Sequence, residues 1–190
     1  LESKGIKLGL ERTEDLLSAC KNPHKKFPSI QVVGTNGKGS TSAMMANILK
    51  TAGYKVGLYT SPHLNCINER IRINGFAIQD KEIIDFINKY KADIDKLNVS
   101  FFEVMTVLAV WYFDYHNIDI AVLETGLGGR LDSVTACESQ TLVCTSISKD
   151  HQHILGDTIE EIAHEKISAL HKNMVCISYN HPQAIKKVFN

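Results

Sequence analysis

The sequence has no excess of one charge: 21 Lys and Arg face 21 Asp and Glu, for a formal net charge of +0. That excludes a broad electrostatic grip on nucleic acid or anionic lipid, so any anion site must be local. It has no apolar run long enough to cross a bilayer. The longest, Val104 to Tyr112, is about half the length a spanning helix needs. It has no C-x-x-C spacing either: Cys20, Cys66, Cys137, Cys144 and Cys176 are scattered and odd in number. This argues against a disulfide framework and a zinc cage, and points to a reduced, cytoplasmic setting. The opening LESKGIKLGLERTEDLL lacks an apolar h-region, a small-residue cleavage site and an initiator Met, so it reads as a trimmed start rather than a leader. Internal repeats, low-complexity segments and linkers are missing as well.

What is present is an ordinary globular composition, 44% hydrophobic and 22% charged over 190 residues. That is enough for a packed core of one domain with a remainder. Ile30 to Val33 is a short apolar run entering a Gly-rich turn, and Ser40 to Lys50 spaces its apolar residues as a helix stopped by Gly53. Lys55 to Thr60 reads as the next buried strand, closing a strand–helix–strand unit. Glu69 to Ile73 alternates like a half-exposed strand, and Gln79 to Leu97 has helical spacing with Asp80 as its expected cap. Phe101 to Tyr115 is apolar nearly all round, as a buried helix is, and Ile118 to Glu124 is a strand ending on a carboxylate. Thr141 to Ile147 is a strand, Thr158 with Glu161 starts a helix reaching His171, Met174 to Ser178 is a strand, and His181 to Phe189 opens another helix. Strands alternating with helices predict an α/β fold: a mostly parallel sheet flanked by helices, with ligands at the carboxyl ends of the strands.

The sharpest motif is Gly34-Thr35-Asn36-Gly37-Lys38-Gly39-Ser40-Thr41, between a strand and a helix. Glycines let backbone N–H groups turn toward an anion, the helix N-terminus adds partial positive charge, Lys38 reaches outer phosphates and a hydroxyl faces Mg²⁺. The usual phosphate-loop spacing would want Gly where Val32 stands and Ser or Thr where Gly39 stands. The plain alternative is a Gly-rich turn capped by Ser40. A second cluster follows from strand ends: Ser61, Glu124 and His151 each sit after a strand, where a parallel sheet brings residues to one rim. Hard oxygen ligands suit Mg²⁺. Spacing alone leaves a metal site level with a turn, a loop cap and an ordinary histidine. In Glu124-Thr-Gly126-Leu-Gly128-Gly129-Arg130-Leu-Asp132 the glycines allow a loop to wrap a ligand, while Arg130 and Asp132 read equally as an exposed ion pair. Lys166 has Ile162 and Ala163 one turn back, so spacing makes it a solvated charge.

Six segments in one order carry a resemblance that no single motif does: VVGTNGKGST (32–41), GLYTSPHL (57–64), NERIRING (68–75), FFEVMT (101–106), ETGLGGRLD (124–132) and DHQHILGDTIEEIAHEK (150–166). Together they resemble the N-terminal, ATP-binding part of the folylpolyglutamate synthase and dihydrofolate synthase family, relatives of the Mur ligases. The resemblance implies a P-loop-like Mur ligase central domain over residues 1–190. It implies an ATP- and Mg²⁺-dependent ligase that adds L-glutamate to a folate or dihydropteroate carboxylate through an acyl phosphate. Thr35, Asn36, Gly37, Lys38, Gly39 and Ser40 fall on the nucleotide loop. Ser61, Glu124 and His151 fall on metal positions, and Lys166 on a lysine that CO₂ converts to a carbamate able to hold a second Mg²⁺. Lys38, His151 and Lys166 thus become the expected catalytic group, and Phe102, Arg130 and Asp132 the expected pterin site.

The chain departs from the family in reading Asp132-Ser133-Val134-Thr135 where D-[AS]-T-N is common, Lys149 before Asp150-His151, and Ile167-Ser168 after Lys166. Family members also carry a second α/β domain, so the chain is expected to be an N-terminal portion of a longer ligase. GGRLD points toward the type that also accepts dihydropteroate. A monomer without nucleic-acid or membrane partners is expected. The competing readings are a Mur-type peptide ligase domain and a nucleotide-binding module without ligase activity.

Overall fold

The structure, a computed structural model, describes residues 7–172, 174–178 and 181–189. Its centre is a seven-stranded sheet in the order β4-β3-β2-β5-β1-β6-β7. The strands are β1 (Ser29–Val33), β2 (Val56–Tyr59), β3 (Ile71–Ile73), β4 (Phe76–Ala77), β5 (Ile120–Glu124), β6 (Thr141–Cys144) and β7 (Val175–Ser178). β2, β5, β1, β6 and β7 run parallel, while β3 and β4 form an antiparallel edge. The helices are α1 (Glu11–Ala19), α2 (Lys38–Thr51), α3 (Asp80–Leu97), α4 (Phe101–Tyr115), α5 (Gln152–Leu155), α6 (Ile159–Ile167) and α7 (Gln183–Lys186).

The mostly parallel sheet between helices is the architecture that the alternating pattern predicted. Register assigns the faces. Val33, Leu123, Tyr59, Leu142 and Cys144 share one face, and the first three are fully buried. α4 covers the β2–β5 side of it, with Val107, Leu108, Ala109, Val110 and Phe113 at 0% exposure, and α6 covers the β6 side through Ile162 and Ala163. On the other face Val32, Val122, Val56 and Leu58 pack against Met45 and Leu49 of α2. Burial on both faces explains why the central strands read as continuous apolar runs. The polar residue in the middle of β1, Gln31, is 1% exposed and donates through Nε2 to Thr125 Oγ1 (3.1 Å) and Thr135 Oγ1 (2.8 Å).

Local expectations differ at several ends. Asp80 is the first residue of α3 rather than its cap: Gln79 caps, its N–H donating to the Glu82 carboxylate (3.0 Å), while Asp80 accepts from Asn68. Glu69 and Arg70 belong to a 3₁₀ turn, Ile67–Arg70, because Glu69 folds back to accept N–H groups from Leu64, Asn65 and Cys66. β6 stops at Cys144, since residues 145–148 leave the sheet to bond the loop after β1. α6 ends at Ile167, short of His171. Its start is as predicted, with Glu161 N donating to Thr158 Oγ1 and Thr158 N to the Glu161 carboxylate.

Candidate functional site

β1 delivers the chain to residues 34–37, and α2 begins at Lys38 with Gly37 as its left-handed N-cap, φ +82°. The loop is held from outside by the segment after β6. Thr35 N donates to Ser146 O (2.7 Å), Thr35 Oγ1 pairs with both Ser148 O and Ser148 N, and Asn36 O accepts from Thr145 Oγ1 (2.9 Å) and Ser146 Oγ (3.2 Å). Gly34 takes φ +145°, and a Cβ there would lie 1.9 Å from Thr145 Oγ1. The loop is therefore ordered by its own surroundings, and it leads into the start of a 14-residue helix, whose N–H groups and dipole favour an anion.

Two ammonium groups converge on the loop. Lys38 Nζ donates to Gly34 O (3.1 Å) and Thr35 O (3.2 Å), and Lys166 Nζ donates to the same Gly34 O (3.0 Å). Lys166, a solvated charge by spacing alone, is 3% exposed. The signal missing from its own helix lies in the loop after β1, 132 positions away in sequence. Burial first, then the nearby Lys38 charge, pulls its pKa down from 10.5 to about 8. In the unfolded chain Lys166 keeps its ordinary high value, so between these pH values the unfolded state binds more protons and folding stability rises with pH. A Lys166→Met chain in CO₂-free buffer is expected to be more stable than the parent by about 2 kcal/mol at pH 7, after allowing for the lost hydrogen bond. That advantage should shrink as pH rises from 8 toward 10.5. Urea unfolding across this range checks it, and a pH-independent difference would contradict it.

At the end of β5, Glu124 is 4% exposed, and its Oε2 accepts from Ser61 N (3.0 Å). Burial raises its pKa, partly opposed by the Ser61 N–H and the Lys38 charge. Gly39 keeps this carboxylate open: a Cβ there would stand 3.4 Å from Oε2 and 3.5 Å from Oε1. A buried carboxylate beside a hydroxyl residue and a phosphate loop is a donor set that fits a hard divalent cation. His151 is not brought to this corner by any described contact. It is exposed on the turn before α5 with φ +46°, its Nε2 3.6 Å from Asp150 Oδ2. Among the described residues, no group of three His, Cys, Asp or Glu side chains could hold a metal ion.

Next to Ser61 opens a cavity of about 510 Å³, lined by Pro62, Arg70, Phe101, Phe102, Glu103 and Asp132 among others. Gly126 is where it is because Phe102 packs onto it; a Cβ would come within 2.5 Å of the ring. Asp132, 6% exposed, accepts N–H from Gly126 (3.0 Å), Leu127 (2.8 Å) and Val134 (3.0 Å), yet burial still lifts its pKa to about 6. Phe102 and Asp132 thus share the cavity. Arg130 does not line it: its guanidinium lies outside, paired with Glu165 (2.8 Å) rather than with Asp132. Arg70 and Glu103, not singled out by spacing, are part of the wall because the 3₁₀ turn and α4 bring them there.

A glycine-rich loop opening α2, a strand-end carboxylate facing it and a ligand-sized cavity on the same rim suit the middle domain of a Mur ligase. Residues 32–181 match the Mur ligase middle domain, and the chain belongs to that family. Within it, the chain is 41% identical over 192 residues to the dihydrofolate synthase/folylpolyglutamate synthase of Bacillus subtilis, covering 97% of this chain and 45% of that protein. FolC of Escherichia coli in complex with DHPP and ADP superposes with a TM-score of 0.91 at 37% identity, over 99% of this chain and 46% of that one. An FPGS–AMPPCP–folate complex gives a TM-score of 0.90 at 34% identity, covering 99% of this chain and 47% of that one. The chain spans about half the length of the relatives it matches. No described helix is long and apolar enough to cross a membrane.

Proposed function

We propose that the chain is the nucleotide-binding part of an ATP-dependent ligase that joins L-glutamate to a folate or dihydropteroate carboxylate. The observation that carries this reading is the contact of three parts on one rim. Lys38 opens α2, Glu124 faces Gly39 and bonds Ser61 N, and Ser61 lines the cavity that holds Phe102 and Asp132. A nucleotide on the loop and an acceptor in the cavity would meet at Ser61. The similar chains solved with DHPP and ADP, and with AMPPCP and folate, support both halves.

In this reading the acceptor carboxylate oxygen takes the γ-phosphoryl group of ATP and ADP leaves. The amine of glutamate then forms the amide bond at the acyl carbon, phosphate departs and the amine gives up a proton. Lys38 and the N–H groups of the loop hold the phosphates, a task of positioning and charge neutralisation. Glu124 and Ser61 are the residues that would hold Mg²⁺, which when bound supplies charge stabilisation on the phosphoryl oxygens. Phe102 and Asp132 receive the pterin, with a flat ring face and a carboxylate acceptor. Lys166 is read as the site of carbamylation: at a pKa of about 8 its neutral amine is accessible, and attack on CO₂ forms an N–C bond with release of one proton. His151 and Arg130 are kept as family positions. The distributed cysteines support a cytoplasmic setting.

Calorimetric titration of the 190-residue chain with a non-hydrolysable ATP analogue is expected to show saturable binding that requires Mg²⁺. ADP formation by the protein that contains this segment should be stimulated by dihydropteroate and glutamate together. Nucleotide binding without any such stimulation would favour a binding module and sink the ligase assignment.

A further inference from the structure

Four charged side chains line the cavity: Lys7, Arg70, Glu103 and Asp132. Three have their charge or polar head engaged by the protein. Lys7 Nζ donates to Asn98 O (2.7 Å), Glu103 accepts from Arg12 Nε (2.9 Å) and from Ser100 N, and Asp132 accepts three backbone N–H groups. Arg70 is different. It is 9% exposed, and among the described residues no carboxylate pairs with it. Its Nε donates to His63 Nδ1 (2.9 Å), and its guanidinium carbon lies 5.3 Å from the centre of the Phe101 ring. A largely buried cation without a counter-charge is costly to the fold, and in a cavity wall the missing charge is one that a ligand brings.

We propose that Arg70 recognises the carboxylate of the acceptor and sets a preference for anionic over neutral acceptors. This rests on the proposed function, which puts an acceptor in the cavity. The location of Arg70 specifies which end of the acceptor it meets. Thr60 N donates to Arg70 O (2.9 Å), which places Arg70 beside Ser61, the residue whose N–H reaches Glu124. That is the end of the cavity next to the phosphate loop, where a reacting carboxylate has to be. The group is also held in place before any ligand arrives. His63 accepts from Nε, Phe101 backs the guanidinium plane, and Glu69 closes the preceding turn by accepting from Leu64, Asn65 and Cys66. A pre-set planar fork binds a carboxylate through two parallel hydrogen bonds, which lysine cannot reproduce.

The test compares pteroate with its neutral carboxamide, titrated into the 190-residue chain and into Arg70→Met and Arg70→Lys. The parent is expected to bind pteroate roughly 30-fold more tightly than the amide, within the range of a lost charge-assisted hydrogen bond. Arg70→Met should bind the amide as the parent does and lose the preference for the acid, and Arg70→Lys should keep only part of it. A structural defect would weaken both ligands alike. An undiminished preference in Arg70→Met overturns the proposal, as does a parent chain that shows no preference, a result that needs no variant to fold. Failure of the parent to bind either ligand would instead overturn the acceptor-site reading, and the Arg70 assignment with it.

Discussion

Replacing Lys38 with Ala is expected to weaken binding of a non-hydrolysable ATP analogue to the 190-residue chain by about 100-fold, at fixed Mg²⁺ and salt. That loss is at the upper end for a charge-assisted contact because of where Lys38 stands. It begins α2, in the first turn, whose N–H groups have no partner within a helix, and its ammonium is held by Gly34 O and Thr35 O in a loop braced by Ser146 and Ser148. Little ordering remains to oppose binding, so most of the lost attraction appears as lost affinity. The fold should notice less. Two part-buried hydrogen bonds disappear, but so does the repulsion between Lys38 and Lys166 that helps lower the Lys166 pKa. The thermal midpoint should therefore stay within about 3 °C of the parent. Calorimetry beside a melting curve separates these effects, and unchanged affinity would mean that the loop is a turn and not a phosphate site.

Gly34→Ala should produce the largest loss of stability, about 4 kcal/mol, or roughly 10 °C in the melting temperature of a chain this size. Two costs add. At φ +145° an L side chain is strained whatever the space, and the new Cβ would meet Thr145 Oγ1 at 1.9 Å and Ser146 O at 3.2 Å. Shifting β6's exit to relieve this would pull away the hydrogen bonds that Thr145 Oγ1 makes to Val33 O and Asn36 O. It would also move Gly34 O, the shared acceptor for Lys38 and Lys166. A double-mutant cycle apportions the loss. Thr145→Ala removes the closest atom, so in its background Gly34→Ala should cost the backbone strain and the milder contacts with Thr145 Cβ (3.1 Å) and Ser146 O (3.2 Å), about half as much in all. Equal costs in both backgrounds would show that the Thr145 contact plays no part.

Much of the fold was legible because the relevant physics is local. Ile30 to Val33, Ile118 to Glu124 and Phe101 to Tyr115 reveal themselves by runs of apolar residues, and they fall on β1, β5 and α4. Thr158 and Glu161 meet across a single turn, so their capping box could be read directly. α1 went unread, although it packs Leu16 and Leu17 into the core beside α4 at 0% and 1% exposure. Its apolar positions are few, and packing against α3 and α4 supplies what its own pattern does not. Strand ends were the least secure, because a strand stops where its partner stops bonding. β6 ends at Cys144 for the sake of a loop more than 100 positions earlier in the chain.

The parallel sheet between helices, the glycine-rich loop between β1 and α2 and the Mur ligase family could all be read from the sequence, since strand–loop–helix order and glycine placement are encoded over short spans. Packing between distant segments sets which charges work together. It turned Lys166 from an expected surface charge into a buried amine on Gly34, set Glu124 against Ser61 and Gly39, and put Asp132 on three N–H groups while Arg130 went to Glu165. It also left Arg70 in a cavity wall without a carboxylate. Burial and charge pairing depend on what packs against a residue from distant segments, and a linear pattern does not carry that information.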